Sequence, residues 1–243
     1  MYYLTLMAIF KNETFNLKIW LDHYIWQGVQ HFYLIDNGST DNPLEILHDY
    51  ISKKLVTYIY RPEPHQQLLN YRFTFRKYNI KKNSYWLIIA DLDEFFYGLK
   101  NKLINLLTKL VNYDVIYCNW IMFGHNNLKN HPKDIRISIT NTNNQFHENK
   151  KYIFKTNCIG DLNQIQIHKI NFVTKIFNAN LLIHLNHYPI QSQEYFEKVK
   201  MTRGDVNSSK DDKIRDWNYF NQYDKDMLKH DYYLKCLIQK NFH

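Results

Sequence analysis

The sequence contains only three cysteines in 243 residues, at positions 118, 158 and 236. They lie far apart and form no CxxC pair, which argues against a disulfide framework and against a zinc site built from thiolates. Glycine and proline are also scarce, with six and five residues, and no internal repeat or low-complexity linker is present. Hydrophobic residues make up 45% of the chain and aromatic residues 16%, so a disordered protein is excluded.

Long apolar runs are missing as well. No stretch approaches the roughly 18 apolar residues that a membrane-spanning helix needs. The apolar residues 1–10 carry neither a basic n-region nor a small-residue cleavage site, so they do not have the pattern of a signal peptide. We therefore expect no transmembrane segment and a cytoplasmic location.

The formal net charge is +8, yet no run of five or more lysines or arginines occurs. A basic balance favours anionic partners, which include nucleic acid, an acidic membrane surface and a phosphorylated substrate. Because the basic residues are scattered and form no recognisable nucleic-acid motif, we expect no nucleic-acid binding. A nucleic-acid-binding module stays open as an alternative that the charge alone permits.

The first 90 residues alternate apolar runs with segments of helical periodicity. The apolar runs predict four buried strands, at residues 2–10, 31–35, 55–60 and 85–90. Helical spacing predicts helices at residues 16–27 and 66–79, and Gly28 ends the first of them. A further helix follows Asp41, which we expect to be its N-cap. Three β-α units in this order predict a Rossmann-like sheet whose ligands bind beyond the carboxyl ends of the strands.

The second half of the sequence is less regular. A strand is predicted at residues 115–120, one or two strands at 176–185, and loops with short strands in the polar segment 126–149. Ser192 opens a helix, and a closing amphipathic helix is expected to bury Met227, Leu228, Leu234, Leu237 and Ile238. We interpret the chain as a single domain.

The strongest chemical signal is Asp91-Leu92-Asp93-Glu94, directly after the fourth predicted strand. Side chains at i and i+2 of an extended chain point to the same side, so Asp91 and Asp93 can face one ligand. Mg²⁺ and Mn²⁺ prefer oxygen ligands and often complete their coordination with substrate phosphates. The pattern therefore predicts a divalent cation that links the protein to a diphosphate. The alternative is an acidic loop that caps the next helix.

Two other loops follow predicted strands at the same edge of the sheet. Asp36 and Asn37 end the second strand, and a carboxylate there could accept hydrogen bonds from a uracil or a ribose. Asn12 and Glu13 follow the first strand and could bind a nucleobase or a sugar hydroxyl. Both loops also have the composition of ordinary β-α connections, because Asn-Gly favours a tight turn and the neighbouring residues favour helix starts.

The ordered segments IFKNE, FYLIDNGSTD and YWLIIADLDEFF resemble GT-A fold glycosyltransferases, specifically the family 2-like and family 92-like group. Residues 120–124 resemble that group's W-x-x-F-G segment, and residues 187–204 resemble its HY…S…EF…K…RG tail. The resemblance covers most of the chain, from about residue 5 to about residue 205. It implies an α/β GT-A fold, with a mostly parallel central sheet flanked by helices.

The resemblance also implies an activity and a division of the chain. We expect a metal-dependent transferase that moves a sugar from a UDP-sugar to a glycan or another hydroxyl acceptor, with Mn²⁺ or Mg²⁺ and with inversion at the anomeric carbon. Residues 1–98 would bind the nucleotide-sugar, residues 99–205 would face the acceptor, and residues 206–243 would form a C-terminal helical extension.

Individual residues take roles from the same resemblance. Asp91 and Asp93 would bind the metal, with His187 as a further ligand and His168 as the second choice. The expected donor-binding residues are Lys11, Asn12, Glu13, Asp36, Asn37, Asp91 and Arg203. Arg203 could hold phosphate bidentately, with help from Lys200.

The general base that inversion requires has no clear candidate. Many relatives place an acidic residue after the W-x-x-F-G segment, but no Glu-Asp pair follows Gly124. The acids in that region are Asp134, Glu148 and Asp161, and Glu94 and Glu194 are other possibilities. We retain Asp134 and Glu194 as candidates. This departure leaves open a non-catalytic nucleotide- or carbohydrate-binding protein on a degenerate GT-A fold. A haloacid-dehalogenase-type phosphatase is disfavoured, because Phe95 stands where Thr or Val is expected and three β-α units precede the acidic pair.

Overall fold

The computed structural model describes residues 1–203 and 215–242. In these residues the strands are β1 (Tyr2–Phe10), β2 (His31–Asp36), β3 (Val56–Tyr60), β4 (Ser84–Ile89), β5 (Glu94–Gly98), β6 (Val115–Phe123), β7 (Asn141–Lys155), β8 (Ile176–Asn178), β9 (Ile183–His187) and β10 (Lys229–His230). The helices are α1 (Thr14–Trp26), α2 (Pro43–Ser52), α3 (Gln67–Lys77), α4 (Ile80–Asn83), α5 (Leu103–Leu107), α6 (Ile135–Ser138), α7 (Gln193–Lys198), α8 (Trp217–Asp224) and α9 (Tyr233–Phe242).

One central sheet organises the molecule, in the order β3-β2-β1-β4-β7-β6-β9-β5. The strands β3, β2, β1 and β4 are parallel, as the three β-α units require. Beyond β4 the sheet is mixed, because β7 runs antiparallel to β4 and β6, and β9 is parallel to β6 but antiparallel to β5. The predicted α/β fold with a helix-flanked central sheet is confirmed, and its second half is less parallel than expected.

The side chains of the sheet alternate between two faces, each with its own core. Leu4, Leu6 and Ala8 of β1 pack with buried residues of α1, α2, α5 and α9. Met7 and Ile9 point to the other face, where α3, α4 and residues 159–170 cover the sheet. We call these the α1 face and the α3 face. Because both faces are covered, the strands read as continuous apolar runs.

Three sequence expectations about local structure are wrong. Asp41 does not cap α2; its Oδ2 atom accepts hydrogen bonds from the backbone and hydroxyl of Thr14, at 2.9 and 2.8 Å, and so ties the β2–α2 loop to the start of α1. The closing helix begins at Tyr233, because β10 pairs with β7 before it. The polar segment 126–149, expected to form loops with short strands, instead contributes nine residues, 141–149, to the long 15-residue strand β7.

Other local expectations are confirmed. Gly28 follows α1 with a φ of +98°, a left-handed conformation that favours glycine after a helix. Ser192 caps α7, since its hydroxyl accepts a hydrogen bond from the Tyr195 backbone at 3.1 Å. The region 176–185 forms β8 and most of β9. Among the described helices, none is long and apolar enough to cross a bilayer.

Candidate functional site

A cleft of about 420 Å³ opens beyond the carboxyl ends of β1 and β4. Its wall includes the end of β1 with Glu13, the turn 91–93 after β4, and His187 at the end of β9. The C-terminal part of the chain adds Lys200, Arg203 and Arg215. This is the edge where parallel α/β sheets bind ligands, and the volume lies within the ordinary range for small-molecule sites.

Side chains of helix α1 hold the backbone of the acidic turn after β4. The Trp20 indole donates hydrogen bonds to the backbone carbonyls of Asp91 and Glu94, at 3.0 and 3.1 Å. The Tyr24 hydroxyl donates to the Glu94 carbonyl at 3.0 Å, and the Glu94 carboxylate accepts from the Asp91 backbone at 2.9 Å. The turn is therefore fixed independently of the Asp91 and Asp93 side chains, and both residues line the cleft.

Each carboxylate of the pair is bound by a lysine from a distant part of the chain. Lys151 of β7 is fully buried, and its ammonium lies 2.7 Å from Asp91 Oδ2 and 3.5 Å from Glu94 Oε2. Lys200 lies 2.6 Å from Asp93 Oδ2. These contacts give charge-assisted hydrogen bonds in a poorly solvated place, where ionic interactions are stronger than in water.

The surroundings shift the protonation of these groups in different directions. Burial favours the neutral form of Asp93, but Lys200 and His187 outweigh it and hold the pKa of Asp93 well below its ordinary value. Burial, helped by the two aspartates, raises the pKa of Glu94 well above its ordinary value although Lys151 opposes the shift. Burial would lower the pKa of Lys151, yet Asp91 and Glu94 raise it. Asp93 is thus an anion at neutral pH.

His187 lies beside the acidic turn, as predicted. Its Nε2 atom is 3.7 Å from Asp93 Oδ1, and β9 places it directly across from Glu94 in the sheet. The ring packs at 4.2 Å from the ring of Trp120, which fixes its orientation. His168 also lines the cleft, but its Nδ1 atom lies 3.1 Å from the carbonyl of Lys150. The centre of its ring lies 5.4 Å from that of Trp120. His187 is therefore the better placed of the two.

The side chains of this site suit a hard divalent cation as ligands, since two carboxylates and one imidazole face the same cleft. The ligands are not assembled in advance: within residues 1–203 and 215–242, no three His, Cys, Asp or Glu side chains converge as a metal site. Lys151 and Lys200 both contact Oδ2 atoms. Asp91, Asp93 and His187 are the residues that would hold a cation, and both carboxylates already contact a lysine with which it would compete.

Glu13 and Arg203, both predicted to bind the donor, bind each other. The Arg203 guanidinium contacts the Glu13 carboxylate and the carbonyl of Lys11, and the Tyr195 hydroxyl donates to Glu13 Oε2 at 2.8 Å. Arg203 Nε is buried and has no partner among the described residues. The group joins the loop after β1 to the C-terminal segment at the cleft wall. Gly204, the last residue of the predicted tail motif, lies outside the described residues.

The remaining predicted donor residues form the loops beside the cleft rather than its described wall. Asp36 is buried and accepts hydrogen bonds from the Ser39 backbone at 2.7 Å and from the Tyr58 hydroxyl at 2.6 Å. Asn37 donates to the carbonyls of residues 61 and 63. Asn12 adopts a φ of +54° and accepts from the Thr40 backbone at 2.8 Å. The network fixes the loops after β1 and β2 against each other.

The two candidate bases lie elsewhere. Asp134 caps α6 and forms a forked pair with Arg136, with contacts of 2.9 and 2.6 Å. Glu194 accepts from the His131 backbone and from Lys198, each at 2.7 Å. Neither lies among the described residues that line the cleft, where the acidic side chains are Glu13, Asp91 and Asp93.

Several residues in or just beneath the cleft are not apparent from the sequence. Lys151 precedes an apolar stretch and has the local pattern of a solvated strand residue; only the pairing of β7 with β4 reveals that it faces Asp91. Arg215 and Tyr219 also line the cleft, and the arginine lies 5.4 Å from the tyrosine ring centre. The sequence signal for these two residues is a basic residue shortly before an aromatic one in the C-terminal part, and this signal is weak.

The parallel β-α half that ends in an Asp-x-Asp turn, with the cleft beyond it, has the arrangement expected of a GT-A-type glycosyltransferase. The model for glycosyltransferase family 92 matches residues 6–230, and the chain belongs to that family. The predicted group is thereby confirmed. A search of curated proteins finds no match to the chain.

Solved structures of similar fold include the one described as "S. aureus TarS 1-349 in complex with UDP", at 13% identity and a TM-score of 0.49, covering 82% of this chain and 64% of that one. The structure described as "S. aureus TarS" gives 13% identity and a TM-score of 0.47, with 82% of this chain and 38% of that one covered. HddC from Yersinia pseudotuberculosis gives 14% identity and a TM-score of 0.42, with 82% and 97% covered. The chain therefore spans less than two thirds of the TarS chains it matches, and at these scores the likeness concerns the general fold alone.

Proposed function

We propose that this chain transfers a sugar from a nucleotide-diphosphate donor, a UDP-sugar, to a hydroxyl group of a glycan or another acceptor. The observation that supports this most strongly is the placement of Asp91 and Asp93 on the wall of the cleft beyond β4, beside Lys200 and Arg203. Membership of glycosyltransferase family 92 supports the same reaction class.

The cationic side chains of the cleft suit a diphosphate. Arg203 already binds Glu13, so it is a less available phosphate ligand than the resemblance implies. Lys200 is held by one carboxylate, Asp93, and can turn to a phosphate oxygen when that carboxylate takes another partner. Arg215 is partly exposed at the cleft and adds a further positive charge. Fixed cations of this kind stabilise the charge that develops on a departing diphosphate.

Mn²⁺ or Mg²⁺ would be held by Asp91 and Asp93, with His187 as a further ligand, and would neutralise charge on the leaving diphosphate. Within this proposal the Trp20 and Tyr24 hydrogen bonds fix the backbone of the turn, so that both carboxylates keep their position. Lys151 compensates the charge of Asp91 and Glu94 below the cleft floor.

The donor nucleoside would lie toward the loops after β1 and β2. Asp36 uses one hydrogen bond on each of its carboxylate oxygens, and each oxygen has a further lone pair that could accept from a uracil or ribose. Lys11, Asn12 and Asn37 would shape this part of the site by holding the two loops together. Inversion by direct displacement stays part of the proposal, with the acceptor entering on the face opposite the diphosphate.

A second candidate function is non-catalytic binding of a nucleotide or carbohydrate. The observation that favours it is the position of Asp134 and Glu194, which are engaged with Arg136, His131 and Lys198 away from the cleft. Such a protein would bind a UDP-sugar without turning it over.

Thermal unfolding with UDP-, GDP- and CDP-sugars, each with and without Mn²⁺, tests the donor class. A ligand that binds only the native state raises the melting temperature by mass action, and we expect a UDP-sugar with Mn²⁺ to give the largest rise. Release of UDP over time, in the presence of simple sugar acceptors, separates the transferase from the binding protein. No stabilisation by any nucleotide-sugar would overturn both the transferase and the nucleotide-binding protein.

A further inference from the structure

A second concave surface lies on the α3 face, away from the acidic pair. It has a volume of about 650 Å³ and is lined by α3 and by the segment around residue 162. Four of its lining residues are basic, namely Arg61, Arg72, Arg76 and Lys77. Because α3 starts at Gln67, which lines the first cleft, the two concave surfaces are neighbours.

The segment that contains α3 carries charged residues of one sign only. Between Glu63 and Asp91 the chain contains five lysines or arginines and no aspartate or glutamate. Asp161 is the acidic residue of the concave surface, and its carboxylate accepts from the Asn163 backbone at 3.0 Å. Arg76, Lys77 and Lys82 are exposed and pair with no described carboxylate. Their charge is therefore directed to solvent or to a partner.

Large apolar side chains stand among these cations. Leu69 and Phe73 are exposed by 57% and 39%, and they lie four residues apart on α3, so they share one face of the helix. Phe172 is 92% exposed, and it lies two residues after Ile170, which packs in the same core as Phe75 of α3. Leu69 and Phe73 thus lie beside the basic residues of the concave surface, and Phe172 adds an exposed aromatic on the same face of the sheet. Such a combination suits an environment that is both apolar and anionic.

We propose that the α3 face docks on a membrane surface that contains anionic lipids. A lipid interface accepts apolar side chains at the acyl boundary and basic side chains at the head groups, which this surface offers together. Stacking with a nucleic-acid base suits it less well, because Arg61 already lies 4.5 Å over the ring of Phe73. The inference is independent of the proposed transferase activity, and docking would hold the first cleft beside the bilayer.

Co-sedimentation of the full chain with vesicles tests the proposal. Vesicles of phosphatidylcholine with added phosphatidylserine should bind the protein, vesicles of phosphatidylcholine alone should bind it much less, and added salt should weaken the binding. Near an anionic membrane each basic residue contributes about a fivefold change in partitioning, so Arg76→Gln with Lys77→Gln should weaken binding by about 25-fold. Phe172→Ser should weaken it as well.

A matched control lies on the opposite face of the sheet. Lys102 and Lys109 are exposed residues beside α5, whose leucines pack in the α1 face core. The variant Lys102→Gln with Lys109→Gln removes the same charge and should bind anionic vesicles like the wild type. Equal loss in this control, or no binding of the wild type to anionic vesicles, would overturn the proposal. So would unchanged vesicle binding by Phe172→Ser together with tight binding of heparin, because this result would identify a soluble polyanion as the partner.

Discussion

The Lys200 ammonium lies 2.6 Å from Asp93 Oδ2, and both side chains are less than a tenth exposed. The pair joins the C-terminal segment to the turn after β4 across 107 residues of sequence. It has two consequences. The charge of Asp93 is compensated before any ligand binds, as Lys151 compensates that of Asp91. Lys200 can reach a diphosphate only when Asp93 exchanges this lysine for another partner.

Replacement of Asp93 by asparagine tests the acidic pair directly. Asparagine keeps the shape of the side chain but removes its charge, so the turn should persist while sugar transfer falls by about 100-fold or more. Loss of the carboxylate also leaves Lys200 buried without its partner, and some loss of stability is expected. Transfer assays and circular dichroism measure the two effects.

Asp49→Asn is the control for this variant, because the Asp49 side chain is 79% exposed and lies outside the cleft. It should keep both activity and stability. Wild-type turnover by Asp93→Asn would remove Asp93 from the mechanism.

Replacement of Lys151 by methionine tests the charge balance beneath the cleft. The change leaves the buried Glu94 and the partly buried Asp91 uncompensated, and breaking such a buried pair costs about 3–5 kcal/mol. Adding Glu94→Gln removes one of the two unpaired charges. The double variant should then be less destabilised than the sum of the two single variants, by about 0.5–3 kcal/mol. Urea unfolding of the four proteins measures this coupling, and strict additivity would show that the two groups do not interact.

Replacement of Trp20 by phenylalanine tests how the turn is positioned. The indole N–H bonds to the carbonyls of Asp91 and Glu94 are lost, while the Asp91 carbonyl keeps the Glu94 backbone N–H and the Glu94 carbonyl keeps the Tyr24 hydroxyl. Because both carbonyls keep a partner, the loss of stability should be about 0.5–1.5 kcal/mol. Because Trp20 is fully buried and lies outside the described lining of the cleft, we expect kcat to fall while KM for the donor changes little. Trp217→Phe, in α8, is the control and should leave kcat unchanged. An unaltered kcat in Trp20→Phe would show that the turn holds its shape without helix α1.

The stability of the protein should depend on pH through His23. Burial, with a contribution from Arg136, lowers the pKa of His23 well below its ordinary value, and its Nε2 atom lies 2.8 Å from the Phe96 carbonyl. Below about pH 6.5 the unfolded chain binds a proton at His23, whereas the native state keeps His23 neutral. The free energy of unfolding should therefore be highest above this pH and fall by up to about 1.4 kcal/mol per pH unit below it.

Replacement of His23 by glutamine removes this contribution and keeps a donor for the Phe96 carbonyl. Burial also lowers the pKa of His131, to about 4, so the wild type has a second decline of the same sign. The test is therefore the difference between His23→Gln and the wild type in urea unfolding from pH 7 to pH 5. The exposed His48→Gln should show the wild-type slope. Identical slopes in all three proteins would contradict a buried neutral His23.

The parts of the fold that the sequence reveals are those that local pattern determines. Strands β1 to β4 are apolar runs between turn residues, and the periodic segments between them can only be helices that cover the sheet. The first half of β7 is polar and mostly exposed, and it is a strand because it pairs with β6. Strand β5 is likewise fixed by its pairing with β9. Long-range pairing of this kind leaves no local signal.

The residues of the site likewise fall into those that a local pattern reveals and those that it does not. Asp91 and Asp93 carry a motif and a position after a strand, so their place at the cleft could be predicted. The lysines that bind them come from 60 and 107 residues further along the chain, and nothing near Lys151 or Lys200 marks either contact. Sequence position alone marks Asp134 and Glu194 as candidate bases, and neighbours that the sequence does not reveal hold both away from the cleft wall.

Titration calorimetry of UDP into the wild type and into Asp93→Asn, with and without Mn²⁺, tests the central claim most directly. If Asp93 binds a cation that in turn binds the diphosphate, Mn²⁺ should tighten UDP binding to the wild type and have little effect on the variant. Without metal, the variant should bind UDP at least as well as the wild type, because it lacks a carboxylate that repels phosphate and its Lys200 is released. Equal tightening by Mn²⁺ in both proteins, or no UDP binding by the wild type under either condition, would contradict the account.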